Sequence, residues 1–259
     1  MLTRRVIVCL DVDGGRVKKG TRFQDMREHG TPAQMAFAYE RDGADEIVFL
    51  DISATVTNRQ TMLDDVRNTA AALSIPLTVG GGVRGVDDIT ETLRAGADKV
   101  AINTAAVEHP PLISVAAKRF GAQCVVVSID ALRTSDSWLI ATHGGRRLTT
   151  LDAVQWSERA VALGAGELLV TSIDRDGTTL GYDTDLTGAI AERVTVPVIA
   201  SGGAGRPVHL AAALQRGADA VLVAGILHRD EQTVRGLKTY LARAGFAMRE
   251  VAQEAVADA

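Results

Sequence analysis

The sequence predicts an α/β chain folded as one (β/α)8 barrel of the TIM class, built from two half-barrels. Glycine clusters that each run a strand into a helix occur twice, VGGGVR at 79–84 and ASGGAGR at 200–206, 121 residues apart. The same offset relates Gly43, Ala44, Asp45 and Glu46 ahead of IVFLD to Gly164, Ala165, Gly166 and Glu167 ahead of LLVTS, and GADKVAIN at 96–103 to GADAVLVA at 217–224. That period exceeds the roughly 20–50 residues of a solenoid repeat, so it describes two equivalent halves of one closed object. The length of 259 residues suits a single barrel of this kind.

Short Val/Ile/Leu runs ending in polar or turn residues alternate with Ala/Leu-rich stretches, the pattern of repeated βα units. They place strands near 5–10, 46–51, 76–80, 98–103, 123–129, 167–172, 197–200 and 219–223. Helices are expected near 32–42, 59–73, 86–95, 110–119, 152–163, 185–193, 207–216 and 230–244, with Pro32, Pro110 and Pro207 at helix starts, where the missing N–H is harmless. The barrel is expected over 1–247, its halves over about 1–121 and 122–247, followed by a C-terminal tail at 248–259 that carries no strand signal.

Composition agrees with this class and excludes others. Hydrophobic residues make up 46% with only 4% aromatic, which suits layers of branched side chains inside parallel strands. The net charge of −4 argues against a chain devoted to nucleic-acid backbone. Two cysteines, Cys9 and Cys124, lie in apolar runs and support neither a disulfide framework nor a zinc site. The five histidines form no metal spacing, and none stands out as a base on the rim. No pattern requires a metal or redox cofactor. No apolar run is long enough to span a bilayer and the N-terminus turns charged too soon for a signal peptide, so a cytoplasmic address is expected. Trp138 and Trp156 are expected to pack in or beside the fifth helix.

Barrel closure gathers the C-terminal ends of the strands on one rim, where such enzymes keep their chemistry. The rim residues are Asp11, Asp51, the glycines 80–82, Asn103, Thr104, Asp130, Thr171, Ser172, Ser201, Gly202, Gly203, Ala224 and Gly225. A lone glycine cluster reads first as a tight turn. Two of them, each leading into a helix and set on opposite sides of one barrel, read instead as a pair of phosphate cradles. Asp11 and Asp130 end strands one and five, opposite each other, and are the acid and base candidates. The same positions also suit aspartates that cap the next turn.

Nearly the whole chain, roughly residues 2–246, resembles the cyclase subunit of the imidazole glycerol phosphate synthase family. The resemblance rests on CLDVDGGRVKKG, FLDISA, TVGGGVR, GADKVAINTAAVE, SIDRDGT with GYD close behind, and IASGGAG, in order and at the family's spacings. It implies a doubly phosphorylated substrate, the phosphoribulosyl formimino derivative of aminoimidazole carboxamide ribonucleotide. Ammonia would convert it to imidazole glycerol phosphate and aminoimidazole carboxamide ribotide. Asp11 would be the acid or base at the cyclising ribulosyl carbonyl, with Asp130 its partner. One phosphate would rest on Gly82, Asn103 and Thr104, the other on Asp176, Gly177, Gly203 and Ala224 through backbone groups; Asp51, Gly81, Thr171, Ser201, Gly202 and Gly225 would complete the substrate- and phosphate-binding set. Lys19, in the loop after strand one, would close over the substrate. A glutaminase partner would dock on the opposite face near Asp98 and deliver ammonia through a gate formed by Arg5, Glu46, Lys99 and Glu167. Those four also suit an ordinary surface ion-pair set on the bottom rim.

The chain departs from the family pattern at several places: Gly225 stands at the usual serine, Arg22 at an asparagine, Thr150 at a glycine and Leu227 at a frequent phenylalanine. Three readings are therefore carried forward. The first is the ammonia-dependent cyclase and lyase; the second is a paralogous phosphosugar enzyme or the sister isomerase; the third is a non-catalytic barrel that binds phosphorylated metabolites beside a glutaminase.

Overall fold

The computed structural model describes residues 3–21, 24–54 and 61–250, with the backbone alone at 19–21 and 24–29. Eight parallel strands form the barrel: β1 (Arg5–Asp13), β2 (Glu46–Asp51), β3 (Leu77–Gly80), β4 (Lys99–Ile102), β5 (Val125–Arg133), β6 (Glu167–Ser172), β7 (Val198–Ser201) and β8 (Ala220–Val223). Each pairs with its chain neighbours, and β8 pairs with β1, Arg5 opposite Ala220, so the sheet has no free edge. The main outer helices are α1 (Pro32–Arg41), α2 (Leu63–Ala71), α3 (Val86–Arg94), α4 (Pro111–Phe120), α5 (Ala153–Leu163), α6 (Thr184–Ala191), α7 (Pro207–Gln215) and α8 (Val234–Arg243). Pro32 and Pro207 open α1 and α7 as expected, whereas Pro110 is the cap of α4 and Pro111 its first residue.

Two antiparallel hairpins were not anticipated. Arg16–Thr21 pairs with Gln24–Gly30 after β1, and Trp138–Thr142 pairs with Arg147–Asp152 after β5. Trp138 lies on the second hairpin, donating Nε1–H to Asp183 at 2.9 Å, while Trp156 is buried within α5. The expected tail also begins later than Met248, since Met248 bridges Arg4 and Arg249 pairs with Asp45; residues 251–259 lie outside the described residues.

The Gly-Ala-Asp repeats explain how strands are started. Asp45, Asp98 and Asp219 precede β2, β4 and β8, and each makes a two-way clip to the strand before it. Their N–H groups donate to Val6, Leu77 and Val198 carbonyls at 3.0, 2.9 and 2.8 Å. Their carboxylates accept from the N–H of the same three residues at 2.9, 2.8 and 3.2 Å. Two backbone groups that strand pairing leaves over are thereby satisfied. Before β6 the clip keeps only its backbone half, Gly166 N–H to Val125 O at 3.0 Å, because a Cβ on Gly166 would meet Ala122 O at 2.1 Å. The glycine of the motif follows a helix end in the left-handed region, and its lack of a Cβ lets helices approach. A Cβ on Gly96 would meet that of Ala70 at 2.6 Å, and on Gly217 that of Ala191 at 2.9 Å, so the 121-residue repeat is also a repeat of contacts.

Ile7, Cys9, Val48, Ala101, Val126, Leu169, Ile199, Ala220 and Leu222 fill the barrel. Outside it, one apolar cluster packs β1, β2 and β8 against α7 and α8, and a second packs β4, β5 and β6 against α4 and α5. The last helix is pinned by a buried pair: Lys238 Nζ donates to Asp45 Oδ1 at 2.8 Å and to Gly43 O at 3.1 Å, both charged side chains being under 5% exposed. Removing one partner of such a pair leaves a buried charge incompletely neutralised. Lys238→Ala is expected to lower unfolding stability by about 3 kcal/mol in urea titrations, and Lys238→Ala combined with Asp45→Asn by less than the two single losses added together; full additivity would mean that the pair is not coupled.

Candidate active site

At the C-terminal ends of the strands the barrel opens into a cavity of about 710 Å³, whose wall includes Asp11, Asp51, Asn103, Asp130, Thr171 and Ser201. Asp11 is buried at the end of β1, with Cys9 Sγ 3.5 Å from its Oδ1. Across the ring, Asp130 Oδ2 accepts from Asn103 Nδ2 at 2.9 Å, and the same amide donates to Ala141 O at 3.1 Å. Burial raises the Asp130 carboxyl to about 6; the Asn103 hydrogen bond pulls it down and the charge of Asp176 pushes it up. Asp51 also borders the cavity, but its carboxylate accepts from the backbone N–H groups of Ala54 at 3.1 Å and Met62 at 3.3 Å. It ties Ala54 and Met62 to the end of β2, a role that its strand-end position alone does not distinguish from ligand contact.

The two glycine clusters face this cavity from β3 and β7. Gly81 and Gly82 have φ of 92° and 75°, Gly202 and Gly203 of 87° and 104°. A Cβ on Gly81 would lie 2.1 Å from Asp51 O and one on Gly202 2.7 Å from Ser172 O, the same collision one repeat apart. These turns therefore require glycine for their own geometry, and the backbone they expose to the cavity follows from that requirement. Thr104 stands beside the first cluster with its Oγ1 accepting from His143 N–H at 2.9 Å; Asp176, Gly177, Ala224 and Gly225 stand beside the second. The side chain of Lys19 lies outside the described residues, as does Arg22. Thr150 is exposed on the hairpin after β5 and Leu227 is buried.

Sequence reasoning missed several cavity residues. Arg84, Arg146, His109, His143 and Arg229 all border it. His143 comes to the rim on the turn of the unanticipated hairpin, with φ of 55°, so no strand-end pattern could have located it. The doubled glycines before Arg146 were the one available signal.

At the opposite end, the four charges expected as a ring meet as a closed cycle inside the barrel. Lys99 Nζ lies 2.9 Å from Glu46 and 2.8 Å from Glu167; Arg5 lies 3.0 Å from Glu46 and also pairs with Glu167. Glu46 and Glu167 are 1% and 4% exposed, so this is not a surface ion-pair set. Asp98, just outside, is exposed, and its carboxylate serves the strand clip to Leu77.

Among the described residues, no cluster of three or more His, Cys, Asp or Glu could hold a metal ion, and no helix is long and apolar enough to cross a membrane. The family model described as "Histidine biosynthesis protein" matches residues 5–233. The chain belongs to the histidine biosynthesis protein family. Similar members of that family include proteins named imidazole glycerol phosphate synthase subunit HisF from Myxococcus xanthus, 58% identical over 97% of this chain and 100% of the relative, and from Metallosphaera sedula, 56% identical over 96% and 100%. A third, from Mycobacteroides abscessus, carries the same name and is 52% identical over 95% of this chain and 98% of its own.

Asp130 holds its proton more tightly in the folded chain than in the unfolded one, where the ordinary value is 3.8. Its ionisation therefore opposes folding: stability from this group falls as pH rises from about 4 to about 6 and stays lowered above. Asp130→Asn is expected to raise the urea midpoint at pH 8 and to leave it unchanged at pH 3.5. A carbon-detected NMR titration of the carboxyl should show a midpoint near 6 that moves upward in Asn103→Leu; a midpoint near 4 would remove the burial argument.

Proposed function

We propose that this cavity carries out the ammonia-dependent cyclase and lyase reaction of histidine biosynthesis. The phosphoribulosyl formimino derivative of aminoimidazole carboxamide ribonucleotide is converted there to imidazole glycerol phosphate and aminoimidazole carboxamide ribotide. The observation that carries the reading is one cavity with carboxylates on β1 and β5 and glycine turns facing each other from β3 and β7, which fits a substrate bearing a phosphate at both ends. The names of the relatives, matched over nearly their full length, support the same activity and bear against the isomerase.

In this reading Gly81, Gly82, Asn103 and Thr104 hold one phosphate. Asp176, Gly177, Ser201, Gly202, Gly203, Ala224 and Gly225 hold the other through backbone groups, Lys19 closes the site, and Asp51 and Thr171 complete its wall. The half-barrels, about 1–121 and 122–247, supply one cradle and one carboxylate each. Asp130 keeps its proton to higher pH than an ordinary carboxylate and so fits the general acid, which leaves the base to Asp11. Asn103 doubles as the residue that orients Asp130.

Ammonia is mostly protonated in neutral water and must reach the ribulosyl carbonyl without contact with bulk solvent. The relatives are named as subunits, and the partner that fits this need is a glutaminase docked on the N-terminal face near Asp98. Its product would pass the Arg5, Glu46, Lys99 and Glu167 cycle and travel along the barrel axis. The residues lining that axis, among them Ile7, Val48 and Leu169, are apolar and favour neutral ammonia over ammonium.

The test is turnover of the phosphoribulosyl substrate by the purified chain with saturating ammonium salt at alkaline pH. Imidazole glycerol phosphate is the expected product; Asp11→Asn should lose turnover by about a hundredfold or more while KM stays within a few-fold. A wild-type chain that binds the substrate without turning it over would favour the non-catalytic barrel. With the glutaminase present, Lys99→Ala should depress glutamine-supported activity more than ammonium-supported activity, and equal losses would contradict the gate.

A further inference from the structure

The offset that relates the two cradles also relates Thr104 to Gly225 and Glu108 to Arg229. In the first copy the inner position carries a side chain, Thr104, tied to the His143 backbone, and Glu108 turns toward His143 at 3.9 Å and Arg147 at 3.8 Å. In the second copy the inner position is bare and the outer one is a cation. Gly225 is not among the left-handed glycines, so its backbone would accept any residue. What a side chain there would meet is Arg229: a Cβ built on Gly225 would lie 2.8 Å from Nη1.

The guanidinium is thus folded back over the short helix Gly225–His228 and joins the cavity wall. Glu231 fixes its orientation, accepting from Nε at 2.6 Å and Nη2 at 3.1 Å, which leaves Nη1 as the edge turned to Gly225. The helix itself is anchored, since His228 Nε2 lies 3.1 Å from Cys9 O and Nδ1 lies 2.6 Å from the Tyr39 hydroxyl. An arginine held by one edge and presented by the other has the geometry that recognises phosphate oxygens.

We propose that Arg229 binds the phosphate held at the Gly202–Gly203 cradle, reaching it with Nη1 through the space that Gly225 leaves open, and that Glu231 is its positioning residue. The inference rests on the phosphate reading above. It makes the two cradles unlike at equivalent positions, so a substrate with two different phosphorylated ends meets an arginine in this place at only one of them. Arg229 thereby helps to fix which way the substrate lies between Asp11 and Asp130.

The experiment pairs calorimetric titration of the full chain with inorganic phosphate and steady-state turnover of the phosphoribulosyl substrate with ammonium, for wild type, Arg229→Ala, Arg229→Lys and Glu231→Gln. A charge-assisted contact of this kind corresponds to roughly a tenfold change in affinity. Arg229→Ala is expected to weaken phosphate binding and raise KM by about that factor with kcat changed less than KM, Arg229→Lys to recover part of the loss, and Glu231→Gln to raise KM less than Arg229→Ala does. Arg229 is exposed on the rim, so its replacement should not impair folding, which circular dichroism checks. Wild-type binding and turnover with an Arg229→Ala variant indistinguishable from it would overturn the role of Arg229 and leave the cyclase reading standing. A wild-type chain that neither binds phosphate nor turns over would overturn both.

Discussion

Closing eight parallel strands into one ring, with turns that recur after 121 residues, is the constraint on which the rest of the molecule depends. Each half must solve the same local problems: how a helix ends against its neighbour, how the next strand starts, and how the chain leaves the top of the sheet. It solves them with the same residue types, so Gly96 and Gly217 abut Ala70 and Ala191, and Gly81 and Gly202 crowd the carbonyls of Asp51 and Ser172. The cradles facing the cavity are a by-product of that geometry. A turn that must be glycine to fit exposes backbone to whatever lies above it, and closure puts two such turns across one opening.

Chemistry enters where the copies diverge. Asn103 in the first half corresponds to Ala224 in the second, and the amide it adds reaches Asp130. The second half carries alanine at that place, and Asp11 has the Cys9 thiol beside it, so two carboxylates at opposite strand ends sit in different surroundings. Thr104 against Gly225 and Glu108 against Arg229 continue the pattern. A duplicated frame lets these single replacements act locally, because the strands and helices that carry them are fixed by residues common to both halves.

Most of the barrel was legible in the sequence because most barrel strands are buried Val/Ile/Leu runs, and many of their starts and stops are marked by Gly, Asp or Pro. The hairpins were not, for physical reasons that differ. RVKKGT and QDMREHG form strands by pairing with each other and, at Arg16 and Val17, with the end of β1, and their sequences hold too few apolar residues to give an alternating signal. Trp138–Thr142 is a short apolar run without alternation, and the largely exposed strand Arg147–Asp152 that follows it leads into α5, so Trp138 read as helix surroundings. Asp51 shows the limit for side chains: position at a strand end predicts proximity to the cavity, and only coordinates reveal that loop N–H groups already engage its oxygens. His143 reaches the rim by way of a hairpin and was invisible to a search along strand ends.

The cycle of Arg5, Glu46, Lys99 and Glu167 bears on why charge occurs at the base of the barrel at all. Taking ions out of water costs several kcal/mol each, and well-packed apolar residues of similar volume usually serve stability as well or better. The chain demonstrates the apolar solution beside them inside the barrel, where Ile7 stands in register with Glu46 and Val126 with Glu167, in one apolar cluster with Val48 and Ile199. Packing therefore does not call for the four charges. Alternation of sign around the ring offsets their desolvation, each carboxylate receiving both cations, and leaves a closed polar cycle at the N-terminal end of the barrel. A constriction made of side chains that exchange hydrogen bonds can open by rotamer changes in Arg5 or Lys99, whereas an apolar plug of the same size would have to be displaced as a whole. That difference supports a passage at this place rather than a floor.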